Sequence, residues 1–511
     1  MASDQEVVGS SPAGRATSKI MQLRPSQIPR EVVKVTDSLE KSGFEAWIVG
    51  GCVRDLLIGR KPNDWDIATN ATPERIQELF ENTFYTNEFG TVGVVNDDAK
   101  DETVKVVEVT PYRLEGKYSD ARRPDSVVFS QKLEDDLKRR DFTINALAYS
   151  PSQGQLIDLY QGIKDIEDKI VRAVGEPSAR FEEDALRIMR AVRISAELDF
   201  SIEQTTERAM GERVSQLEKI SKERIRDEFV RILNSGEPRK TLLLSHKLGI
   251  LSFVAPELLL GVGVEQNQAH SYDVFEHSLR ALQHAADKGW SLDIRLAALL
   301  HDIGKPKSRR WSDEKKDWTF HGHEVIGAKI ARKTLENLRF SRETIEKVVG
   351  LVRWHMFFSD PDKVTLSAVR RIITNVGREN IWDLINLRIC DRIGTGRPKE
   401  QPFRLRKYQS MIEQALRDPI SVSMLAIDGA EVMKTTGEKA GPRIGWILHT
   451  LLEEVLDDPG KNTPDYLQKK VTDLAALSDG ELRKMGEGGK EKKEEVEGEA
   501  LKDIRKKYFV E

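Results

Sequence analysis

A short stretch near the start of the chain combines residue types that hold phosphate with residue types that hold metal. In chain order these residues are Gly50, Gly51, Arg54, Asp64 and Asp66. A glycine turn at the start of a helix presents backbone N–H groups to a phosphate, and two carboxylates one residue apart in a strand point to the same face. Paired carboxylates hold divalent cations through oxygen. The pattern therefore predicts a metal-dependent site for phosphoryl or nucleotidyl transfer.

A third carboxylate, Glu108, lies in the predicted strand 104–110. A spacing of two places it on the same face as the apolar side chains of Val104 and Val106. Glu108 is therefore either a third acid beside the aspartate pair or an edge residue that faces water. The spacing alone favours neither interpretation.

The segment 180–198, predicted to be one helix, carries an unusual set of charges. Glu183, Arg187 and Arg190 recur along one face, and Asp184 stands three residues before Arg187. One interpretation is a ladder of ion pairs on a solvated helix, which is the common case. The other is that Asp184 and Arg187 hydrogen-bond to the edge of a base, because a carboxylate accepts from an exocyclic amine and a guanidinium donates to a ring nitrogen or carbonyl.

A second group of chemically capable residues lies further along the chain. It consists of His277, His301, Asp302, His321, His323, His355 and Asp391. Neutral imidazole and carboxylate are the ligands of zinc, manganese, nickel and iron sites. A single histidine is more often structural, but five of the chain's nine histidines fall in this ordered series. The series predicts a metal site in a helical region.

The elements that must position these residues change in type along the chain. Residues 91–95 and 104–110 are rich in β-branched side chains and predict strands, and residues 31–42 and 73–80 predict helices. Thr72 is the expected N-cap of the second helix. The sequence therefore begins with an α/β region.

From residue 133 the periodicity is predominantly helical. The segment 133–149 is predicted to be one helix with Arg139, Arg140 and Asp141 at its centre, and nearly every periodic segment after it to about Gln468 also predicts a helix. Residues 476–511 are mostly Gly, Lys and Glu, so they predict a charged tail that is flexible or partly helical.

Composition limits the class of protein. A chain of 511 residues is too long for one hydrophobic core, and no apolar run approaches the ~20 residues that span a bilayer. The polar N-terminus lacks the apolar core of a secretory signal. Two distant cysteines, Cys52 and Cys390, suit a reducing cytoplasm. The net charge of −4 does not exclude nucleic acid, because 80 basic residues can gather on one face.

Four motifs occur in an order that resembles a known family. GGCVRD with DWD, RRDFTINALAY, GEPSARFEEDALRIMRAVR and SKERIRDEF are similar to the motifs of class II tRNA nucleotidyltransferases, the CCA-adding enzyme and poly(A) polymerase family, over residues 22–234. The later histidines and aspartates resemble an HD phosphohydrolase domain. The implied fold is α+β: a polymerase β-like nucleotidyltransferase head with a small β-sheet, then a long all-helical body that includes an HD-type helical domain.

The resemblance implies a division of the chain into parts with separate duties. These are a polar tail (1–24), a nucleotidyltransferase head (25–150), a helical neck with the nucleotide-selecting helix (151–240), an HD-type helical domain (241–400), a helical tRNA-binding tail region (401–475) and a charged flexible tail (476–511).

The resemblance also implies roles for single residues. The catalytic acids, which would bind Mg²⁺, are Asp64, Asp66 and Glu108. The nucleotide-binding residues are Gly50, Gly51, Arg54, Arg140, Asp141, Asn145, Glu183, Asp184, Arg187, Arg190 and Arg193. A transition metal in the HD domain would be held by His277, His301, Asp302 and Asp391, with His323 and His355 for a second ion.

The implied activity is template-independent addition of CCA to tRNA 3′ ends from CTP and ATP by two-metal catalysis. Poly(A) polymerase, A-adding and CC-adding activities remain alternatives, although the Arg-rich segment 111–127 resembles the flexible element used to switch from C to A. From another class, the chain could be an HD phosphohydrolase with an RNA-binding head, or a non-catalytic RNA-binding protein. Candidate tRNA contacts are the basic stretches 222–226 and 399–407. The expected location is cytoplasmic, with no membrane partner.

Overall fold

A computed structural model describes residues 23–86, 90–115, 127–268, 271–357, 364–417 and 421–510. The chain forms two compact units, Met1–Pro256 and Glu257–Glu511. The N-terminal tail to residue 22 and most of the predicted Arg-rich loop, residues 116–126, lie outside the described residues. Within those ranges, no helix combines the length and the apolar character needed to cross a membrane.

The first unit contains a seven-stranded mixed sheet. The strands of this unit are β1 (Ala46–Val49), β2 (Asp66–Thr69), β3 (Thr83–Tyr85), β4 (Val92–Val95), β5 (Val106–Pro111), β6 (Arg113–Glu115), β7 (Val127–Phe129), β8 (Leu147–Ser150), β9 (Gln155–Asp158), β10 (Ile170–Val171) and β11 (Ser201–Ile202). The order in the large sheet is β3-β4-β5-β2-β1-β8-β9, in which β2 and β5 are parallel and the other neighbours antiparallel.

Helices flank this sheet and continue beyond it. They are α1 (Arg30–Lys41), α2 (Gly51–Leu57), α3 (Pro73–Leu79), α4 (Leu133–Lys138), α5 (Gly162–Glu167), α6 (Pro177–Glu183), α7 (Leu186–Leu198), α8 (Gln204–Arg213), α9 (Lys222–Asn234), α10 (Pro238–Lys247) and α11 (Leu251–Val254). The expected cap is present at α3, where the Thr72 side chain accepts from the Arg75 N–H at 3.4 Å. The predicted α+β fold class is confirmed.

The single helix predicted over 133–149 is wrong. The helix α4 ends at Lys138, a 3-10 turn covers Thr143–Asn145, and β8 then pairs with both β1 and β9. All four residues of β8 are buried. A short apolar run in a central strand is buried on both faces, so its periodicity does not distinguish it from a buried helix.

The segment 180–198 is also not one helix. It breaks at Asp184, whose backbone is extended (φ −150°, ψ 101°), so that α6 ends before it and α7 begins after it. The Asp184 carboxylate accepts from the Leu186 N–H at 3.1 Å. Aspartate competes with helical hydrogen bonding in this way, which is why it favours helix ends over helix interiors.

After α12 (Pro256–Leu259), the chain is almost entirely helical. Its elements are α13 (Val274–Asp287), α14 (Leu292–Leu300), α15 (Lys305–Ser308), the hairpin β12 (Arg310–Ser312) and β13 (Asp317–Thr319), α16 (His323–Asn337), α17 (Arg342–Trp354), α18 (Leu366–Val376), α19 (Ile381–Gly394), α20 (Phe403–Leu416), α21 (Gly429–Thr436), α22 (Pro442–Asp457), α23 (Pro464–Ala475) and α24 (Asp479–Lys507).

Most of the charged C-terminal segment is a 29-residue helix, α24, so of the two predicted alternatives the structure shows the helical one. It packs along α22 at two glycines. A Cβ atom at Gly486 would lie 2.7 Å from the Cα of Trp446, and one at Gly489 would lie 2.2 Å from the carbonyl oxygen of His449. The glycines that suggest disorder in the sequence therefore permit two helix backbones to approach closely.

Candidate functional site

The glycine turn between β1 and α2 is restricted to glycine for two reasons. Gly50 has φ +88° and ψ −142°, a conformation that side chains rarely adopt. A Cβ atom there would also lie 2.7 Å from the Nη1 atom of Arg140. The guanidinium of Arg140 therefore lies directly against the turn.

Three carboxylates gather beside this turn. Asp66 is paired with Glu108 across the parallel strands β2 and β5, so both side chains lie on one face of the sheet. Asp64 lies in the bend before β2 and not in the strand. The prediction that Asp64 and Asp66 share one strand face is therefore wrong. Because β5 lies between β4 and β2, Glu108 is not on an edge strand.

The charges of these acids act on one another. The pKa of Asp66 is raised to about 7, chiefly by burial; Arg140 acts to lower it, and the charges of Asp64 and Glu108 act to raise it. Burial and Asp64 also raise the pKa of Glu108. A cation bound among crowded carboxylates would remove this cost of ionisation. Oxygen ligands of this kind fit Mg²⁺.

The position of Arg140 is held by an acid that the sequence did not single out. Asp136 is fully buried and accepts from Arg139 at 2.6 Å and from Arg140 at 3.0 Å. Although burial raises the pKa of Asp136, the two arginines outweigh it and the net direction is down. A residue buried between two cations stays ionised and fixes both of them.

One cavity of about 1000 Å³ brings most of the predicted site together. Pockets of about 300–1,000 Å³ accommodate small-molecule ligands. The predicted site residues that line it are Gly50, Gly51, Arg54, Asp64, Asp66, Arg140, Asp141, Asn145, Asp184, Arg187, Arg190 and Arg193. Glu108 and Glu183 are not among the lining residues.

The arginines of α7 have carboxylate partners on several elements. Arg187 donates to Glu183 at 2.8 Å, as the ion-pair ladder predicts. Arg190 instead contacts Asp141 at 2.7 Å, and Arg193 contacts Glu228 at 2.5 Å. These ion pairs connect α7 to α6, to α9 and to the segment that follows α4. The charges of α7 therefore do not all face water, as they would on a solvated helix.

A chain of hydrogen bonds connects the glycine turn to α7. Arg54 Nη1 donates to Asn145 Oδ1 at 2.6 Å, Asn145 Nδ2 donates to Asp141 Oδ1 at 3.1 Å, and Asp141 Oδ2 accepts from Arg190. Burial raises the pKa of Asp141, but Arg190 and Asn145 outweigh it and hold the pKa near 2. Asp141 and Asn145 thus bind neighbouring side chains as well as lining the cavity.

Sequence reasoning missed the main partner of Asp184. Arg224 of α9 donates to Asp184 Oδ2 at 2.6 Å. Arg224 belongs to the basic stretch 222–226, which the sequence suggested for tRNA contact. Nothing in the spacing of Asp184 and Arg224, 40 residues apart, indicates this pair.

In the second unit, the predicted metal ligands form two tight clusters that share Asp302. His277, His301, Asp302 and Asp391 contribute ligand atoms within 4.8 Å of one another, and Asp302, His323 and His355 form the second group. All six are buried. His321 is exposed and belongs to neither cluster.

The hydrogen bonding of the histidines shows that the clusters fit cations. His323 Nδ1 contacts the Phe320 carbonyl at 2.7 Å and His355 Nδ1 contacts the Val352 carbonyl at 2.6 Å, so each Nδ1 carries the proton. Their Nε2 lone pairs then face each other at 3.2 Å beside Asp302. A metal ion is the species that such converging donors bind.

Lys305 and Gln266 complete this region and were not predicted. Lys305 Nζ contacts Asp302 Oδ2 at 2.6 Å and Gln266 Oε1 at 2.5 Å. His301 and Lys305 outweigh the effect of burial and keep the pKa of Asp302 well below its usual value. Lys305 follows the His-Asp pair by three residues, and that short spacing is the signal that could have revealed it.

Three family models match separate parts of the chain. Residues 46–172 match the Poly A polymerase head domain, residues 199–260 the probable RNA and SrmB-binding site of polymerase A, and residues 274–393 the HD domain. The first match lies within the first unit, the second lies in the same unit except for its last four residues, and the third lies within the second unit.

Whole proteins also resemble this chain over most of their length. The CCA-adding enzyme of Lactobacillus helveticus is 33% identical over 462 residues, which cover 88% of this chain and 100% of the relative. That of Leuconostoc mesenteroides is 31% identical, covering 88% and 98%. The crystal structure of the Bacillus stearothermophilus CCA-adding enzyme in complex with CTP has a TM-score of 0.57 at 27% identity, covering 87% of this chain and 96% of that one.

These similarities extend over both units, and the motif residues predicted from the sequence surround a common cavity in the first. The resemblance inferred from the motifs is therefore confirmed: the chain belongs to the CCA-adding enzyme and poly(A) polymerase family of tRNA nucleotidyltransferases, with a fused HD domain.

Proposed function

We propose that the first unit adds C, C and A to the 3′ end of tRNA from CTP and ATP without a nucleic-acid template. The observation that supports this most strongly is the shared cavity, in which the glycine turn, Asp64, Asp66 and the α7 arginines meet. The names of the similar proteins, which are CCA-adding enzymes, support the same reaction.

In this proposal Asp64, Asp66 and Glu108 hold two Mg²⁺ ions. Bound metal would lower the pKa of the terminal 3′-hydroxyl and stabilise the leaving pyrophosphate. Arg140, fixed by Asp136, and Arg54, fixed by Asn145, would hold the triphosphate at the glycine turn. Their rigidity favours a reactive orientation before the tRNA arrives.

Asp184 and Arg187 would select the base. Three of the five N–H donors of Arg187 are engaged, by Arg180 O, Glu183 and Arg139 O, so two remain. A carboxylate oxygen can accept more than one hydrogen bond, so Asp184 can receive a base amine while keeping Arg224. Cytosine and adenine both offer an amine donor beside a ring acceptor, whereas uracil and guanine offer the opposite pattern.

The end-point of addition separates the alternatives within the family. We would incubate the full chain with tRNAs that end before CCA, after C and after CC, supply CTP and ATP together or singly, and sequence the 3′ ends. Products that stop at CCA support the proposal. Products that stop at CC, that grow only from CC, or that extend into poly(A) would instead identify the CC-adding, A-adding or poly(A) alternative.

For the second unit we propose a metal-dependent phosphohydrolase. Two ligand clusters bridged by Asp302 support this role, since paired metals assist displacement at phosphorus. Metal analysis and hydrolysis of a 2′,3′-cyclic phosphate by the wild type, His301→Ala and Asp302→Ala would test it. A wild type that is inactive with every transition metal would reduce this unit to a scaffold.

We also propose two regions that contact tRNA. The match of residues 199–260 to a probable RNA-binding region supports contact there, and the helical region 401–475 is the second candidate. Such contacts would be made to phosphates and would carry no sequence information.

A further inference from the structure

The HD clusters open into a cavity that is much larger than a phosphate. It has a volume of about 820 Å³, and Asp302, His323 and Asp391 are among the residues that line it. Pockets of about 300–1,000 Å³ hold ligands of nucleotide size or larger. The metal ligands therefore occupy only one part of a larger binding site.

The cavity is rich in positive charge. The cations that line it are Lys305, Lys315, Arg388, Arg392, Arg397 and Arg404. Lys305 and Arg388 are paired with Asp302 and Asp391, which are ligands of the clusters themselves. Their charges are therefore already balanced within the metal site.

Three of the remaining cations differ from Lys305 and Arg388 in their partners. Among the residues that the structure describes, Lys315, Arg397 and Arg404 form no ion pair, although all three line the cavity. The one lining acid outside the clusters, Asp317, already accepts from the backbone N–H groups of Gln268 and Trp318. The charge of this part of the cavity thus favours an anion in addition to any group bound at the metals.

Aromatic side chains lie in the same cavity. Phe403 lines it and is 48% exposed. Trp318 also lines it, and its ring is fixed by the Arg309 guanidinium at 3.7 Å and by an edge contact with Trp311 at 5.2 Å. An exposed ring among cations is the arrangement that stacks bases while the charges hold phosphates.

We propose that the HD cavity binds a nucleotide with at least two phosphate groups. One phosphate lies at the Asp302 clusters, a second is held by Arg397 and Arg404, and a base stacks against Trp318 or Phe403. This inference rests on the proposed hydrolase function of the same site and names its substrate class. A phosphomonoester with no base would use only the metal-binding part of the cavity.

The reaction consumes water and needs no other reactant. The oxygen of water forms a bond to phosphorus, the bond from phosphorus to the ester or anhydride oxygen breaks, and that leaving oxygen takes up a proton. The second phosphate does not react. Its contacts with Arg397 and Arg404 position the substrate.

Binding is measured first, by isothermal titration calorimetry on the full-length chain in Ca²⁺, so that the carboxylates of the clusters hold a cation while the transition metals proposed for hydrolysis are withheld. The probes are 5′-phosphorylated diadenosine (pApA), ADP, AMP and p-nitrophenyl phosphate. We expect Arg397→Gln/Arg404→Gln to weaken pApA or ADP binding by about tenfold or more, because hydrogen bonds between charged groups are among the strongest polar contacts. AMP binding should change by less than about twofold.

The matched control is Arg370→Gln/Arg371→Gln, which removes two exposed arginines of α18 that do not line the cavity. This variant should bind every probe as the wild type does. Because both pairs of arginines are exposed, folding should be retained, and thermal unfolding checks this. Comparing wild type with the Arg397→Gln/Arg404→Gln variant isolates binding in the second unit from binding in the first.

Two results would overturn the inference. One is unchanged binding of pApA and ADP by Arg397→Gln/Arg404→Gln, and the other is AMP binding that weakens in this variant as much as the binding of both two-phosphate probes. A preference for pApA identifies oligonucleotides as the source of the second phosphate, and a preference for ADP identifies nucleoside diphosphates. Hydrolysis assays with Mn²⁺ then separate the two proposals. Binding of the two-phosphate probes without hydrolysis contradicts only the proposed hydrolase activity. Hydrolysis of all four probes with equal kcat/KM contradicts only the proposed substrate class.

Discussion

At the scale of single residues, the proposed base-selecting pair depends on partners from other elements. Arg224 reaches Asp184 from α9, and Arg139 supplies its carbonyl oxygen to Arg187. Each partner restricts a long or charged side chain to one orientation. A selecting group that is already oriented loses less entropy when the base binds, which sharpens discrimination.

Replacing Asp184 by alanine tests the selection directly. We expect Asp184→Ala to reduce the preference for CTP and ATP over UTP and GTP by about tenfold or more, because each base contact contributes roughly 1–3 kcal/mol of discrimination. Single-turnover kcat/KM values for the four nucleotides measure it. Asp64→Ala, as the comparison, should abolish transfer of all four. Full selectivity in Asp184→Ala would contradict the assignment.

The buried Asp141 carboxylate contributes to the free energy of unfolding by an amount that depends on pH. Its pKa of about 2 in the folded chain lies below the ordinary value near 3.9. The stabilisation is therefore present above pH 4 and is lost as the pH falls from about 4 to about 2.

We expect Asp141→Asn to lower the free energy of unfolding at pH 7 by about 2 kcal/mol, because Arg190 loses its charged partner. The deficit relative to wild type should shrink as the pH falls toward 2. Urea denaturation between pH 7 and pH 3 measures this. The exposed Asp98→Asn serves as a control and should match the wild type. A deficit that stays constant with pH would show that charge is not the cause.

At the scale of secondary-structure elements, the close approach of two helix backbones accounts for the packing of the charged helix α24. The helix α24 has few apolar side chains but lies against α22 through Gly486 and Gly489. Leu482 and Ile504 are its buried apolar residues alongside these glycines. Contact between backbones replaces the wide apolar stripe that a packed helix usually needs.

Two glycines of α24 make a matched pair for testing this contact. Gly489→Ala places a methyl group against the His449 carbonyl and should destabilise the chain by about 2 kcal/mol. Gly498→Ala meets nothing within 4 Å and should stabilise it by about 0.5–1 kcal/mol, because alanine favours the helix. Denaturant midpoints distinguish the two. Equal shifts in both variants would contradict close packing at Gly489.

At the scale of the whole molecule, the chain contains two chemically distinct sites. The first unit offers oxygen ligands and arginines around a glycine turn, whereas the second offers imidazole together with carboxylate. Hard oxygen ligands suit Mg²⁺ and imidazole suits transition metals. Each unit therefore contains candidate metal ligands of its own.

Separate ligand sets predict separable activities. Asp302→Ala should abolish phosphohydrolysis and leave CCA addition within about twofold of the wild type, since it removes the carboxylate that the two clusters share. Asp64→Ala should have the opposite effect. Both activities are assayed on the same preparations with Mg²⁺ and Mn²⁺. Loss of both activities in either variant would contradict this separation.

The sequence by itself indicated which residues form both candidate sites and what chemistry their side chains could support. Short motifs carry their residue types in a local order, so Asp64, Asp66, the glycine turn and the His-Asp pair could be identified without a fold. The family and the α+β class followed from the same motifs. Periodicity also predicted α1 and α3 closely, because isolated amphipathic or capped helices depend on local residues.

Only the tertiary structure decided which distant residues meet. The parallel pairing of β2 with β5 places Glu108 beside Asp66, and a register shift of one residue would have turned it away. Arg224 beside Asp184, Asp302 between two clusters and α24 against α22 likewise depend on contacts between segments far apart in the chain. Local periodicity is the same whichever segments become neighbours, so the sequence pattern contains no direct signal for these pairs.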